Sequence, residues 1–417
     1  MSGGSLQRQF ARDVLGPIFL AYCHRLWLFQ MGAGGSEAVA LFAARGGLRL
    51  LALYRRFLAL QGLPPAMPCH PFMISRLAAA KGCYCRAPGV VRHQVVRIFR
   101  GETVSTLSNA LIPANAAASV RPAMGGLPPK LMATAVTPAS FDALMNSTAE
   151  YGVWLRRHLE EQGTLLRDYL VGLAGGSRRI LLCDTGLYGC TQAILSAANP
   201  DLEWTGVYFG KSNYTGEFAE HHLRAFGLVF DSDRASPLQP STALLRYWHL
   251  CEMPMEPPVP SVAYFHRSEA GKVLSNLDTS VLDASLERPG NPYYDGIREY
   301  FDTLHGPCPT RDVNRNFMSA AWQLQRRIYL PSNGDVQAMT VGTRNPDFGR
   351  DGEVPTLVAV PGTTPLSAKL ALVRDALWQE GQTRVAFPAL GGLLNLARWT
   401  LRLAAAVLRL PLSAFGR

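Results

Sequence analysis

Apolar residues run without interruption from Ala38 to Ala43, give way to Arg45-Gly46-Gly47, and resume from Leu48 to Leu60 with leucines and a tyrosine at helical spacing. A short all-apolar run predicts a strand buried on both faces, and the change of period after the glycines predicts a turn into a helix. The pattern recurs twice. After Pro68, Pro71 to Ile74 reads as a short strand, Ser75-Arg76 as its loop, and Leu77 to Lys81 as the opening of a helix closed by Gly82. Arg179 to Cys183 then reads as a strand, Asp184 to Gly189 as a glycine-containing turn led by Asp184-Thr185-Gly186, Thr191 to Ala198 as a helix, and Trp204 to Phe209 as the next strand. The third unit is a complete βαβ element. In open α/β sheets the loops at the carboxyl ends of parallel strands meet at a crevice, so the three loops are expected at one site, with helix N-termini aimed into it.

The intervening residues are less regular. From about 87 to 139 the chain is rich in Ala, Pro, Val and Thr and supports no element assignment. Ser140, after Pro138, fits an N-cap, and Phe141 to Leu173 carries apolar residues three and four apart, with Gly163 expected to break it into two helices. This insertion is expected to cap the crevice. Beyond about 240 the chain becomes α-rich and proline-punctuated, with Pro257-Pro258, Pro289-Gly290 and Asn333-Gly334, and with β-like stretches at Val336 to Val341 and Thr356 to Val360. Leu393 to Leu410 places Arg398, Arg402 and Arg409 within about 40° of one another on a helical wheel, which leaves a broad apolar face. Either that helix packs on the core, or it docks at a membrane interface or on a partner. The expected divisions are 1–86 and 178–240 for the α/β core, 87–177 for the helical insertion, 241–392 for the α-rich region and 393–417 for the basic terminal helix.

Composition narrows the partners. A hydrophobic fraction of 48% and a charged fraction of 17% suit a folded chain, and 417 residues suit one large unit with insertions or two packed domains. The net charge of +10 favours anionic partners, but it is mostly arginine dispersed along the chain. With no zinc-finger or RNA-recognition signature, nucleic acid is not expected as a partner. The eight cysteines lack the spacing of a disulfide scaffold and read as reduced thiols. Cys69-His70 with Cys83-Tyr84-Cys85 does not match zinc spacing. Val14 to Cys23 contains Pro17, lacks a small-residue cleavage site and reads as an internal helix, and no run of about 18 apolar residues occurs. The expected location is the cytoplasm, with peripheral contact at the inner membrane if the terminal helix docks there.

Several motifs in order carry a resemblance: Leu15-Gly16-Pro17, FAARGGLRLLALY at 42–54, ISR at 74–76, CDTGLYGCTQ at 183–192, PSVAYF at 260–265 and LWQEG at 377–381. Together they resemble the haloacid-dehalogenase-like (HAD-like) predicted hydrolases of bacterial surface-polysaccharide loci, often fused to glycosyltransferases. The resemblance implies a HAD-like, Rossmann-type parallel sheet with a helical cap insertion and an α-rich C-terminal region. In that family the first loop usually reads Ala-Arg-Asp-Gly and the third Asp-Ile-Gly-Trp-x-Gly-Thr. Active HAD phosphatases end the first strand in Asp-x-Asp, whose places here fall on Ala44 and Gly46. Neither can form an aspartyl-phosphate or protonate a leaving alkoxide. By the same resemblance Ser75 fits the hydroxyl that holds a phosphoryl oxygen, Asp184 fits the carboxylate that holds Mg²⁺, and Lys81 and Lys130 are the candidates for the family's lysine.

The resulting expectation is a site with Asp184 and Ser75 as catalytic residues, Asp184 as metal ligand, and Arg45, Gly46, Gly47, Ser75, Arg76, Thr185, Gly186 and Gly189 around a phosphorylated or nucleotide-linked sugar. Two arginines in converging loops can clamp a phosphate. Each residue also has a structural use: Asp184 as a helix cap, Ser75 in a turn, the arginines in ion pairs, the glycines for backbone geometry. The rival expectation is a catalytically degenerate HAD-like binding or scaffold module that docks a glycosyltransferase or the membrane surface. A serine or cysteine hydrolase is disfavoured, since no Gly-x-Ser-x-Gly elbow occurs and Cys190 has no identifiable histidine partner.

Overall fold

The computed structural model describes residues 3–33, 37–113, 116–213, 220–277, 286, 289–344 and 354–408. Five parallel strands, β1 (Ala38–Ala43), β2 (Cys69–Phe72), β3 (Arg179–Asp184), β4 (Glu203–Lys211) and β5 (Ala225–Asp231), form one sheet in the order β2-β1-β3-β4-β5. Their sequences lie within 1–86 and 178–240. Phe42 is in register with Pro71 on one side and Cys183 on the other, and Asp184 with Tyr208. The architecture is Rossmann-like α/β.

All six residues of β1 are buried. Ala38, Ala40 and Phe42 point into one core, and Val39, Leu41 and Ala43 into the other. The first core is closed by α1 (Gly3–Phe10), a π-helical turn at Ala11–Leu15, α2 (Gly16–Gly32) and α3 (Gly46–Gln61). The second is closed by α4 (Arg76–Cys83), α5 (Pro88–Ile98), α6 (Val104–Leu111), the short α7 (Ala117–Val120) and α8 (Pro129–Ala133), α9 (Pro138–Met145), α10 (Glu150–Ala174) and α11 (Cys190–Ala198). The β1-to-β2 crossover therefore runs on one face and the β2-to-β3 and β3-to-β4 crossovers on the other. The direction of winding reverses between β1 and β3, which makes their carboxyl ends the topological switch point.

Val259, Val262, Phe265 and Val273 pack in the second core, whereas most helices beyond 240 return to the first. Leu250 and Met255 of α12 (His249–Met255), Tyr294 and Phe301 of α13 (Pro292–Asp302), Phe317 and Ile328 of α14 (Thr310–Tyr329) and Met339 of α15 (Asn333–Met339) are all buried there. Arg49 of α3 ties this cover down. Its buried guanidinium donates from Nη1 to the carbonyls of Pro254 (2.7 Å) and Glu256 (3.0 Å) and lies over the Tyr294 ring, 4.3 Å from its centroid. The chain continues through α16 (Leu366–Asp375), α17 (Gln379–Ala386) and α18 (Gly391–Val407). Trp378, ahead of α17, stacks on Tyr247 and donates from Nε1 to the Ile328 carbonyl.

Five expectations are corrected. Gly163 does not break a helix: α10 is continuous, and the interruption lies at 146–149. Gly163 and Gly82 instead mark the crossing of α10 and α4, where a Cβ on Gly82 would stand 2.4 Å from Leu166 and one on Gly163 3.3 Å from the Gly82 carbonyl. Gly82 lies inside α4 and does not close it. Thr137, not Ser140, is the N-cap of α9; Ser140 closes the reciprocal half of the capping box. Val336 is helical because Ser332 and Asp335 form another capping box, and Thr356–Val360 is not a strand. The paired segments nearby are β8 (Thr343–Arg344) and β9 (Val354–Pro355), which follow the hairpin of β6 (Phe265–Arg267) and β7 (Val273–Ser275). The unassigned residues 87–139 are largely helical, and β5 was not anticipated.

The close helix crossing separates the two glycines. Gly82→Ala is expected to destabilise by about 1–3 kcal/mol through overpacking against Leu166. At Gly163 the alanine helix preference of about 1 kcal/mol offsets a mild contact, so Gly163→Ala is expected to lie within about 1 kcal/mol of the parent. Urea denaturation of both variants measures the contrast, and equal losses would exclude it.

Candidate active site

Three helices begin where the sheet winding reverses. α3 opens at Gly46 after β1, α4 at Arg76 beyond β2, and α11 at Cys190 after the loop that follows β3. All three loops line one crevice of about 300 Å³, together with residues 245–256. The sequence-predicted loops thus converge, but Gly47, expected at the ligand, does not line the crevice and packs against the backbone of Phe42 and Cys183. None of the residues that line the crevice comes from 87–177; its outer wall is the Pro240–Arg246 3₁₀ helix, α12 and the irregular segment that carries Glu256 and Ser261. The expected cap is replaced by the C-terminal region because α12 is lashed over α3 by Arg49.

The glycines of the loops allow close approach. A Cβ on Gly46 would meet the Thr185 side chain at 2.9 Å, and one on Gly47 would meet the Cys183 carbonyl and the Phe42 backbone at 3.0 Å. Gly186 and Gly189 have φ of +111° and +62°, which favours glycine. The same loop extends the sheet ladder: Gly210 N–H donates to the Thr185 carbonyl and Ser212 N–H to the Leu187 carbonyl. His221 and His222 each approach the Tyr188 carbonyl through Nε2, at 3.0 and 3.3 Å. Arg97 donates to Cys190 Sγ at 3.1 Å. The Asp184 loop is therefore held from three directions.

Asp184 ends β3 and faces the crevice. Its Oδ1 accepts from Thr185 N–H at 2.7 Å; it does not cap α11, whose N-cap position is Gly189. Burial is the main reason its carboxyl is pushed up to about 7. The Thr185 N–H opposes that shift, Glu252 reinforces it, and Arg76 opposes it. Ser75 caps α4: Oγ accepts from Ala78 N–H at 3.0 Å and donates to the Val262 carbonyl at 2.5 Å. Its proton is thus committed to backbone. Arg45 is paired with Glu256 at 3.1 Å and also donates to the Val259 carbonyl at 3.4 Å, while Arg76 lines the crevice. Lys81 is buried and lies away from the crevice lining; Nζ donates to the Ala263 carbonyl, and burial lowers its ammonium to about 7. Lys130 is exposed on α8.

Sequence reasoning missed Arg246, His249, Glu252 and Glu256, all of which line the crevice. Their separations of three, three and four residues, one helical face, were the available signal. Arg246 is itself held by Gln379 at 3.0 Å and Glu380 at 3.3 Å. Among the described residues no group of three or more His, Cys, Asp or Glu side chains is arranged to hold a metal ion. Asp184 offers one hard oxygen donor to Mg²⁺, which usually takes one or two carboxylates and completes its shell with water and substrate phosphate.

The raised Asp184 pKa fixes the sign of a pH effect. The unfolded carboxyl ionises near 4 and the folded one near 7, so folded protein binds the extra proton between them and its stability falls as pH rises through that interval. Asp184→Asn keeps an acceptor for Thr185 and removes this penalty. The variant is expected to match the parent below about pH 4 and to exceed it by a few kcal/mol above pH 7. Chemical denaturation across that range tests this, and a pH-independent difference would rule it out. No protein-family model matches the chain, and no curated protein matches it.

Proposed function

We propose that the crevice binds a phosphorylated or nucleotide-linked sugar and that the chain is a HAD-like protein of bacterial surface-glycan metabolism, acting as a phosphohydrolase. The observation that carries the ligand class is the meeting of three helix N-termini at the switch point. The dipole ends there favour an anion, although at α4 the Ala78 N–H is already taken by Ser75 Oγ. Arg76 and Arg246 add cationic lining, and Arg45 exchanges Glu256 for a phosphate if the ligand reaches it. A volume of about 300 Å³ is at the lower end for small-molecule sites and suits a sugar phosphate better than a whole nucleotide sugar.

Ala44 and Gly46 offer no nucleophile, and Ser75 spends its hydroxyl on the backbone. This favours direct attack by water. A carboxyl that titrates near 7 is suited to accept a proton from that water or return one to the leaving oxygen, so Asp184 takes the general acid–base role. With Mg²⁺ bound, Asp184 would instead be the carboxylate that holds it, ionised and no longer a proton carrier, and the metal would neutralise phosphoryl charge. The same missing nucleophile supports a second reading, a HAD-like binding or scaffold module that presents the sugar to a glycosyltransferase.

Phosphate release from sugar phosphates and nucleotide sugars, with and without Mg²⁺, separates the readings when run beside calorimetric binding. Metal-dependent release that is lost in Asp184→Asn is expected for the enzyme. Binding without release by folded protein indicates the module, and neither binding nor release excludes both. Arg76→Ala is expected to weaken sugar-phosphate binding about tenfold or more, the scale of one charge-assisted hydrogen bond.

A further inference from the structure

The terminal helix α18 is mounted with its polarity reversed relative to a helix packed on a protein surface. Its polar side chains turn inward: Asn395 donates to the Glu380 carbonyl at 2.9 Å, Arg398 to Thr383 Oγ1 at 3.0 Å, and Arg402 to Glu380 Oε1 at 3.3 Å. Arg402 also lies over the Tyr329 ring. Its leucines turn outward. Leu393, Leu394, Leu396 and Leu401, with Val407 and the following Leu408, are between 42% and 70% exposed. Surface helices of globular proteins place such residues against the core and their charges in water. A contiguous apolar face of this kind marks an interaction surface.

We propose that this face seats in the interfacial region of an anionic lipid surface, with α18 parallel to the membrane plane. Charge decides between lipid and a second copy of the chain. From residue 381 to 417 the sequence holds five arginines and no acidic residue, and with Arg398 and Arg402 turned to the protein the described cations left at this edge are Arg384 and, nearby, Lys369. Arg384 lies beside Gly392 at the start of α18, and Lys369 lies over the Phe387 ring just before it. A second copy would set these cations against themselves, whereas anionic headgroups supply the opposite charge. Seventeen residues of helix span about 25 Å. No helix among the described residues is long and apolar enough to cross a membrane, so the face lies on the bilayer and does not span it. The inward arginines hold the helix to the protein while its leucines enter the acyl boundary. This inference is independent of what the crevice binds.

The test is flotation of the full chain with phosphatidylcholine vesicles, with and without phosphatidylglycerol, beside Leu393→Glu/Leu401→Glu. Both substituted side chains face solvent, so circular dichroism should match the parent. The parent is expected to float with the phosphatidylglycerol vesicles, less so at high salt, and the double variant to lose at least tenfold in partitioning. Absence of parent binding, equal binding by the variant, or equal binding to neutral vesicles would overturn the proposal. So would a parent dimer in sedimentation equilibrium that the double variant dissociates, which would assign the face to a second copy.

Discussion

A strand with no polar side has to be covered twice. Ala38–Ala43 sends alternate side chains into two separate cores, and nothing in it tolerates water. That constraint accounts for most of the architecture. One cover draws together segments far apart in sequence, with Phe10, Ile18 and Leu26 packed in the same core as Tyr294, Phe317 and Ile328. The other is supplied by the long excursion between β2 and β3 and by α11. With both faces occupied, the open ground is at the strand ends, and the crevice forms where the winding changes direction.

The crevice is electrically mixed. Arg45 is matched by Glu256, Arg246 by Glu380, and Asp184 stands near both Glu252 and Arg76. Its cations are thus positioned by carboxylates before any ligand arrives, which limits the reorganisation that an incoming anion would require. Arg49 contributes from behind, fully buried beneath the wall and bound to its carbonyls. A charge in that position is costly, and it is compensated through Nη1 and the Tyr294 ring while Nε is left without a partner.

The strands and loops that converge were readable because each lies in a local pattern: the apolar run of β1, the glycine turn after it, and the β3–α11–β4 succession. Arg45, Ser75, Arg76 and Asp184 followed from those patterns and do share a crevice. What was not readable depends on partners distant in sequence. Gly163 resembles a helix break until Gly82 is placed beside it. The 245–256 wall has charges at helical spacing, but only the fold brings them over β1 and β3. β5 mixes exposed and buried residues, so it carries no clean alternation. For the terminal helix, the wheel separates arginines from leucines without telling which side meets the protein. The buried carboxylate of Glu380 decides it. Arg409 lies outside the described residues.

Glu380 has a further consequence, in terms of descent. One nearly inaccessible carboxylate serves Arg246, at the edge of the crevice, and Arg402, in the terminal helix. Losing the shared carboxylate of a buried ion network costs about 3–5 kcal/mol, a large part of the stability of an ordinary domain. A lineage that replaces Glu380 inherits two arginines without their match, whereas one that loses either arginine leaves the carboxylate its other partner, so drift at Glu380 is checked from both sides. The pocket and the tail are therefore joined through one carboxylate, and the position least free to vary is the one that neither of them owns.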